Sequence, residues 1–343
     1  MRNDAARDDA IRGDAIRGDA GRSGPATGPD VLTFGETMVA LRGSGPLRLG
    51  GTMQVSVAGA ESNVAIGLAR LGHDVHWSGT VGDDEAGRLV LRTLRAEGVG
   101  VDGAATDGGA PTGLILFEPR LPDVTRVHYY RAGSAGSRPG ASAIERAFAT
   151  APPRVLHLTG ITPALGPTAR ATARRALQLA RGHATLVCLD VNFRARLWTA
   201  DEAGAVLREW LPSVDLVIAS DDELPLCLPG PPGDPGEGAA RLLDLGVREV
   251  VVTHGAAGAT AFTGAGSSHR PATPVRAVDP VGAGDAFVAG YLSALLDGAD
   301  LAGRLARAAT TGAFAVASPG DWEGAPTRAE LGLLGAPPGT VVR

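Results

Sequence analysis

The chain has 343 residues, 44% hydrophobic and 4% aromatic, enough apolar material to bury a large core as one α/β domain or two smaller ones. Its 32 basic residues are all arginines, scattered among 37 acidic residues for a net charge of −5, so no basic face is offered to nucleic acid or anionic lipid. Cys188 and Cys227 have no C-x-x-C spacing and no histidine cluster nearby, which argues against a disulfide scaffold or structural zinc and fits a reducing cytoplasm.

Residues 1–29 carry AIRGD in tandem (Ala10 to Asp14, Ala15 to Asp19), rich in charge and poor in large apolar side chains, and read as a disordered tail without a secretory segment. The Arg-Gly-Asp triplets are by-products of that repeat. No apolar run reaches membrane-spanning length. Order is expected from VLTFGE (Val31 to Glu36), a β-rich run closed by glycine. The stretch VSVAGAESNVAIGLARLG then turns helical, since Val64, Leu68 and Leu71 recur every three to four residues and Gly72 supplies a stop.

Further β-like runs at Val155 to Leu158, Leu186 to Val191, Leu216 to Ala219 and Val250 to Thr253 alternate with helical stretches at Gly166 to Arg181, Asp201 to Trp210 and Gly236 to Leu245. That rhythm predicts an α/β fold: a doubly wound, mainly parallel sheet with helices on both faces, forming one domain from residue 30 onward. Segments near 37–57 and 110–132 break it. Val39 to Val57 and Thr112 to Tyr130, the latter around a proline-containing turn, read as antiparallel pairs: a small β-sheet lid over the crevice at the carboxyl ends of the parallel strands. LPGPPGDPGEG (Leu228 to Gly238) is a surface loop by composition.

Near the carboxyl terminus, DPVGAGDAFVAGYLSALL (Asp279 to Leu296) joins a glycine-rich turn to an apolar helix. Phe287, Tyr291 and Leu295, with Val288, Leu292 and Leu296, form a stripe at i+4 intervals. With no lysine in the chain, a Walker-type phosphate loop is excluded. Backbone can replace it, because the first amides of a helix lack internal partners and lie at its positive end, so Val281 to Asp285 can turn several N–H groups on one anion. A carboxylate there would repel a phosphate and needs its own task. Asp285 is either a general base or an acid that complements the helix dipole.

This stretch closely resembles the C-terminal signature of the ribokinase-like (PfkB) family of sugar kinases, and GAESNVAIGLARLG with GTVGDDEAG resembles its N-terminal signature. HYYRAGSAGS, HLTGITPAL, LDVNFRARLW, SDDEL and GDWEGAPTRAEL are similar to the 2-keto-3-deoxygluconate kinase branch, so the resemblance spans roughly residues 31–335. It implies that Asp285 is the catalytic base and that Gly282, Ala283 and Gly284 form the anion hole. Tyr129 and Arg131 of the lid, Asn192 and Arg194 past a β-run, and Gly59 and Asn63 at the first helix are implied substrate contacts. Arginine suits an acid because its planar fork can grip a carboxylate. Lone readings stay beside these: a solvated strand for Arg131, a structural ion pair for Arg194, a helix cap for Asn63. Where some relatives carry a lid tyrosine, this chain has Ile115.

The resemblance also implies ATP, with Ser220, Thr253, Gly255, Gly258, Gly282 and Gly284 at the nucleotide. It implies Mg²⁺ positioned indirectly by Glu223, through water or phosphate, and allows a monovalent cation. The S-x-x-E spacing of Ser220 and Glu223 is equally a helix capping box. Asp279 opens the glycine-turn motif, where a strand-end carboxylate capping the turn explains it equally well and its role stays open, and His254 is read as incidental. The reading is therefore an ATP-dependent, homo-oligomeric cytoplasmic kinase, assembled through its lid, that phosphorylates 2-keto-3-deoxygluconate. Kinases for the galactonate epimer, fructose or a nucleoside keep the same fold, and a sugar-binding relative without catalysis is the rival from another class. A dinucleotide oxidoreductase is disfavoured, because VGAGDAF lies late and lacks G-x-G-x-x-G.

Overall fold

The computed structural model describes residues 28–121, 124–230, 233–337 and 340–341. The AIRGD repeat and the Pro122 of the lid turn lie outside the described residues. Pro29, assigned to the tail by composition, already belongs to the fold: its carbonyl accepts the Arg154 N–H at 3.1 Å.

The strands are β1 (Val31–Phe34), β2 (Met38–Gly43), β3 (Met53–Ala58), β4 (Val75–Ser78), β5 (Thr80–Gly82), β6 (Ala105–Asp107), β7 (Leu114–Leu121) and β8 (Val124–Tyr130), then β9 (Val155–Thr159), β10 (Leu186–Asp190), β11 (Leu216–Ser220), β12 (Glu249–Thr253), β13 (Ala259–Thr263) and β14 (Gly266–Arg270). The main sheet runs β14-β13-β12-β11-β10-β9-β1-β4, parallel from β12 to β4, with β13 and β14 antiparallel at one edge. Its central strands β1, β9, β10, β11 and β12 are buried along almost their whole length because both faces are covered. Leu32, Leu156 and Leu189 enter one core with the helices Ala141–Thr150, Pro167–Gly182, Ala200–Trp210 and Pro235–Asp244. Val31, Val155 and Cys188 enter the opposite core with the helices Ala60–Arg70, Glu85–Ala96, Ala283–Leu296 and Leu301–Val316. Each predicted strand and helix of the α/β alternation falls where its periodicity placed it, within a residue or two.

β1 lies between β4 and β9, so the chain leaves it first to one side and later to the other. At such a switch the connections diverge and a crevice opens at the strands' carboxyl ends. Over it lies the predicted lid, the hairpins β2–β3 and β7–β8. These are not separate antiparallel pairs: β2 and β7 pair in parallel, making one sheet of order β3-β2-β7-β8. The register sets Ile115 beside Ala40, which Met38, Ala58 and Phe117 extend into an apolar underside.

The helix Ala283–Leu296 differs from expectation in packing. Its stripe suggested one apolar face, yet it is buried on nearly every side, between the helices Ala60–Arg70 and Leu301–Val316. Gly290 permits this contact, since a Cβ there would lie 2.1 Å from Thr311 Oγ1. Beneath it a fully buried ion pair joins Arg304 Nη1 to Glu249 Oε2 at 2.6 Å, and the Tyr291 hydroxyl donates to the other Glu249 oxygen. No helix among the described residues is long and apolar enough to cross a membrane.

Removing one member of a buried pair strands the other's charge, which costs about 3–5 kcal/mol. Arg304→Met should lower the denaturation midpoint accordingly, measured by urea unfolding. The folded fraction should keep wild-type turnover, since Glu249 begins β12 at the end of the sheet away from the crevice.

Candidate active site

The crevice holds about 750 Å³ of empty space including its open mouth. Its walls come from chain segments that follow β1 (Glu36), β9 (Ile161) and β10 (Arg194), from the lid (Met38, Ile115, Phe117, Val127, Tyr129, Arg131) and from the helix tip (Val281, Gly282, Asp285). Gly59 and Asn63 complete one side.

The helix tip differs from expectation at one amide: Ala283, counted with the anion hole, donates its N–H to the Pro280 carbonyl at 3.3 Å. Gly282 adopts φ +75°, and a Cβ on it would lie 1.8 Å from the Asp321 carbonyl oxygen, so only glycine lets the turn pass. The helix begins at Ala283 with no side-chain cap. Among the described residues, the amides of Gly282, Gly284 and Asp285 have no acceptor, and nothing lies within 4 Å of a Cβ position on Gly284. Unpaired amides beside open space at a positive helix end are a cradle that fits a phosphate.

Asp285 is only 8% exposed, and its Oδ2 accepts the Asn63 Nδ2–H at 2.7 Å. Burial raises its pKa to about 7, against the opposing effects of Asn63 and Arg194. Asn63 is therefore no helix cap: its donor goes to the carboxylate, and its Oδ1 is buried without a partner. Gly59 is required by close approach, since a Cβ would lie 2.3 Å from the Glu36 carbonyl oxygen.

The cleft arginines differ. Arg131 is engaged by the buried Glu36, which accepts its Nε at 2.6 Å and the Ser134 hydroxyl at 2.8 Å; its guanidinium also lies over the Tyr129 ring at 5.1 Å. Arg194 donates to the Phe193 carbonyl at 3.0 Å and, among the described residues, has no ion pair with a carboxylate. The structural ion pair considered for Arg194 thus belongs to Arg131. Asn192, at φ +41°, donates to Asp190 at 2.8 Å and keeps a buried, unpartnered Oδ1. Strain of this kind in a non-glycine residue concentrates at functional sites.

Glu223 accepts the Phe193 N–H at 2.7 Å and the Ser220 N–H at 3.0 Å, one on each oxygen. The second bond is half of the anticipated capping box. No group of three or more His, Cys, Asp or Glu among the described residues could cage a metal ion. With both oxygens engaged, Glu223 fits a Mg²⁺ contact made through water. Thr253 ends β12, and Gly255 and Gly258 follow it, all outside the crevice wall. Gly255 (φ +55°) and Gly258 (φ +104°) shape an open turn there, and a Cβ on Gly258 would lie 2.1 Å from the Arg270 carbonyl oxygen. His254 pairs with Thr260 at 3.2 Å, away from Asp285.

Sequence reasoning passed over several acids. Glu61 is buried between the hydroxyls of Thr159 (2.6 Å) and Thr162 (2.7 Å), and burial raises its pKa. Asp190 is raised well above the usual range by burial, then by Glu223. Asp321 lines the cleft and is raised to about 6 by burial, which the Arg42 guanidinium opposes. The one available signal for Glu61 was an acid in the first turn of a helix, between the Gly59 and Asn63 already singled out. Asp279 now has a place: its Oδ1 accepts the Val281 N–H at 3.1 Å, so it caps the turn.

Residues 29–328 match the model of the pfkB family carbohydrate kinases. The chain belongs to this family. It is 36% identical to a 2-dehydro-3-deoxygluconokinase of Thermoproteus tenax, over 88% of this chain and 92% of that protein. It is 32% identical to a 2-dehydro-3-deoxygalactonokinase of Haloferax volcanii, over 83% and 90%. The crystal structure of a PfkB protein from Polaromonas sp. JS666 superposes with a TM-score of 0.79 at 36% identity, covering 88% of this chain and 99% of that one. The three-layer architecture and its lid are thus those of a carbohydrate kinase.

The raised pKa of Asp285 has a consequence for stability. Below about pH 4 the folded and unfolded chains both keep its proton. Between there and about pH 7 only the folded chain keeps it, so this group's contribution falls as pH rises and its full cost is present above pH 7. Asp285→Asn should therefore be more stable than wild type at pH 8 by on the order of a few kcal/mol, and so melt higher, with the gap closing toward pH 4. Thermal scans across that range measure it; equal melting temperatures at pH 8 would place the carboxyl in water.

Proposed function

We propose that this carbohydrate kinase uses ATP to phosphorylate 2-dehydro-3-deoxygluconate (2-keto-3-deoxygluconate) at its terminal hydroxyl, yielding the 6-phosphate. Arg194 carries the reading: it is a guanidinium in the cleft with no carboxylate of its own, facing the same space as Asp285. An acceptor with a carboxylate supplies the missing partner, through two parallel charge-assisted hydrogen bonds. The names of the relatives support the same substrate class.

In this reading Asp285 takes the proton of the attacking hydroxyl, a role worth about 10²–10⁴-fold. Asn63 holds the carboxylate in place and leaves its second oxygen for the acceptor. The amides of Gly282, Gly284 and Asp285 receive the charge of the transferred phosphoryl, and one such donor is worth about 10²–10³-fold. Ala283 shapes the hole by starting the helix. Arg131, fixed by Glu36, presents Tyr129 and its own outer edge to the sugar. Asn192 offers its free carbonyl oxygen to a hydroxyl, and Gly59 lets the acceptor approach the backbone. The open turn at Thr253, Gly255 and Gly258, with the strand end at Ser220, takes the nucleotide. When bound, Mg²⁺ neutralises phosphate oxygens, and Glu223 would reach it through water. The lid keeps water from the activated phosphoryl.

The decisive test is ADP release from ATP·Mg²⁺ across 2-keto-3-deoxygluconate, its galactonate epimer, fructose, ribose and adenosine. Sugar acids should dominate, the ratio of the two epimers deciding between the names of the relatives, and Arg194→Gln should raise the KM for the acid about tenfold or more. Turnover of neutral sugars alone would overturn the acid assignment. Asp285 acts deprotonated, so wild-type kcat/KM should fall tenfold per pH unit below about 7, and Asp285→Asn should keep ATP binding while losing most turnover.

We further propose a cytoplasmic homodimer joined through the lid. The edge strands β3 and β8 expose Met53, Val55, Val124 and Tyr130, an apolar surface along the two outer edges of the lid sheet. Light scattering should give twice the chain mass, and Val55→Asp should shift it to the monomer; a wild-type monomer would remove the proposal.

A further inference from the structure

We propose that Arg42 is a positioning residue that ties closure of the lid to the shape and charge of the anion hole. The inference rests on the kinase reading only in taking the helix tip as the place where phosphoryl transfer occurs.

Arg42 projects from β2, in the middle of the lid, where it pairs with Gln54 of β3 and Phe117 of β7. Its guanidinium lies over the Phe117 ring at 4.0 Å. Its two terminal nitrogens then part: Nη1 donates to Asp279 Oδ2 at 3.1 Å and Nη2 to Asp321 Oδ2 at 2.7 Å. Neither acid belongs to the lid, and both shape the turn before the helix. Asp279 caps it through Val281 and also accepts the Gly320 N–H at 3.4 Å. Asp321 presses its carbonyl against Gly282, the glycine on which the cradle turns.

The segment that carries Asp321 meets the lid at two more points. The Trp322 indole donates to the Val57 carbonyl at 2.9 Å, and the Ser56 hydroxyl of β3 donates to Glu323. On its other side the segment is anchored to the body, because Arg70 donates to the carbonyls of Glu323 (3.1 Å) and Ala325 (2.7 Å) and lies over the Trp322 ring at 5.2 Å. Residues 321–323 are thus a fixed post from which the lid strands β2 and β3 hang, and the same post touches the anion hole.

Charge gives the arrangement its effect. An open lid withdraws the guanidinium and leaves Asp279 and Asp321 facing a turn that must accept an anion. A closed lid neutralises part of that field, so the cradle reaches full affinity for phosphate only when the lid is shut. Coupling of this kind is typically worth about 5- to 150-fold. It places the hydrolytically exposed, open form and the phosphate-competent form in separate states.

The test uses the full chain with Arg42→Met, Asp279→Asn and their combination. The asparagine keeps an Oδ1 to accept the Val281 N–H while dropping the charge, so it leaves the turn capped. Arg42→Met should lower kcat about 10- to 100-fold, and the double variant should regain at least about fivefold of that loss. A merely structural arginine would give no such recovery. In the substrate-free protein, hydrogen exchange of the β2 and β3 amides should quicken in Arg42→Met and stay quick in the double variant. If Arg42→Met does not fold, Arg42→Lys serves, with one cation unable to bridge both acids: lid exchange should quicken with a smaller loss of kcat. Wild-type kcat with unchanged lid exchange, or losses that multiply in the double variant, overturns the proposal. Rates are taken as ratios on whichever sugar turns over, and exchange needs no sugar, so a failed substrate assignment leaves this result readable.

Discussion

Asp285 is a carboxylate held out of water at the positive tip of a helix whose first amides are unpaired. Those two features oppose each other, since the acid weakens the site's attraction for an anion while the tip's dipole lowers the cost of keeping the acid charged. The rest of the structure holds them at fixed separation. The helix cannot tilt to relieve the strain, because it is buried on nearly every side, and Gly290 and Gly67 let its neighbours approach at backbone distance. Asn63 fixes the carboxylate from the opposite helix. The outcome is an acid with a pKa near neutrality, able both to accept a proton and to release it.

The lid is joined to the body by the chain after β1 and the chain after β8, and Glu36 binds these crossings together. Buried between them, it takes Arg131 and Ser134 on its two oxygens. A guanidinium neutralised in this way is rigid, with less of its charge left for a ligand. Arg194, on the body and without such a partner among the described residues, keeps its charge open to the cleft. One arginine is thus tied to the lid's own acid while the other leaves its charge open to the cleft, although their sequence contexts had suggested the same task for both.

Much of this was legible in the chain. Period-2 and period-3.6 patterns set the parallel strands and their covering helices, because strands buried on both faces read as short apolar runs. The glycine turn before Asp285 was legible because unpaired helix amides follow from local geometry. What could not be read were interactions between distant segments. Nothing in the sequence near β2 or β7 states that they pair in parallel, since their shared register depends on how the lid folds back on itself. Glu36, Glu61 and Asp321 have no role that their own stretches state, and gain one through partners far along the chain, such as the 279-residue separation of Arg42 and Asp321. Helix periodicity misled in one respect: it marks apolar positions but does not tell one covered face from a helix enclosed all round.

The balance of charge around the helix tip explains why the acids can crowd there at all. Asp279, Asp285 and Asp321 would each repel a phosphate, yet each has a donor that is not a phosphate: Val281 and Arg42 for the first, Asn63 for the second, Arg42 again for the third. Buried acids survive when hydrogen bonds satisfy their lone pairs, and the field they project outward then shrinks. Because the shared donor comes from the lid, the cleft's affinity for anions and its access to water are set by the same movement. A kinase that had its phosphate site fully formed while open would gain nothing from a lid. In this fold the closing strand brings the charge that completes the site, so shielding the reaction and enabling it become one step.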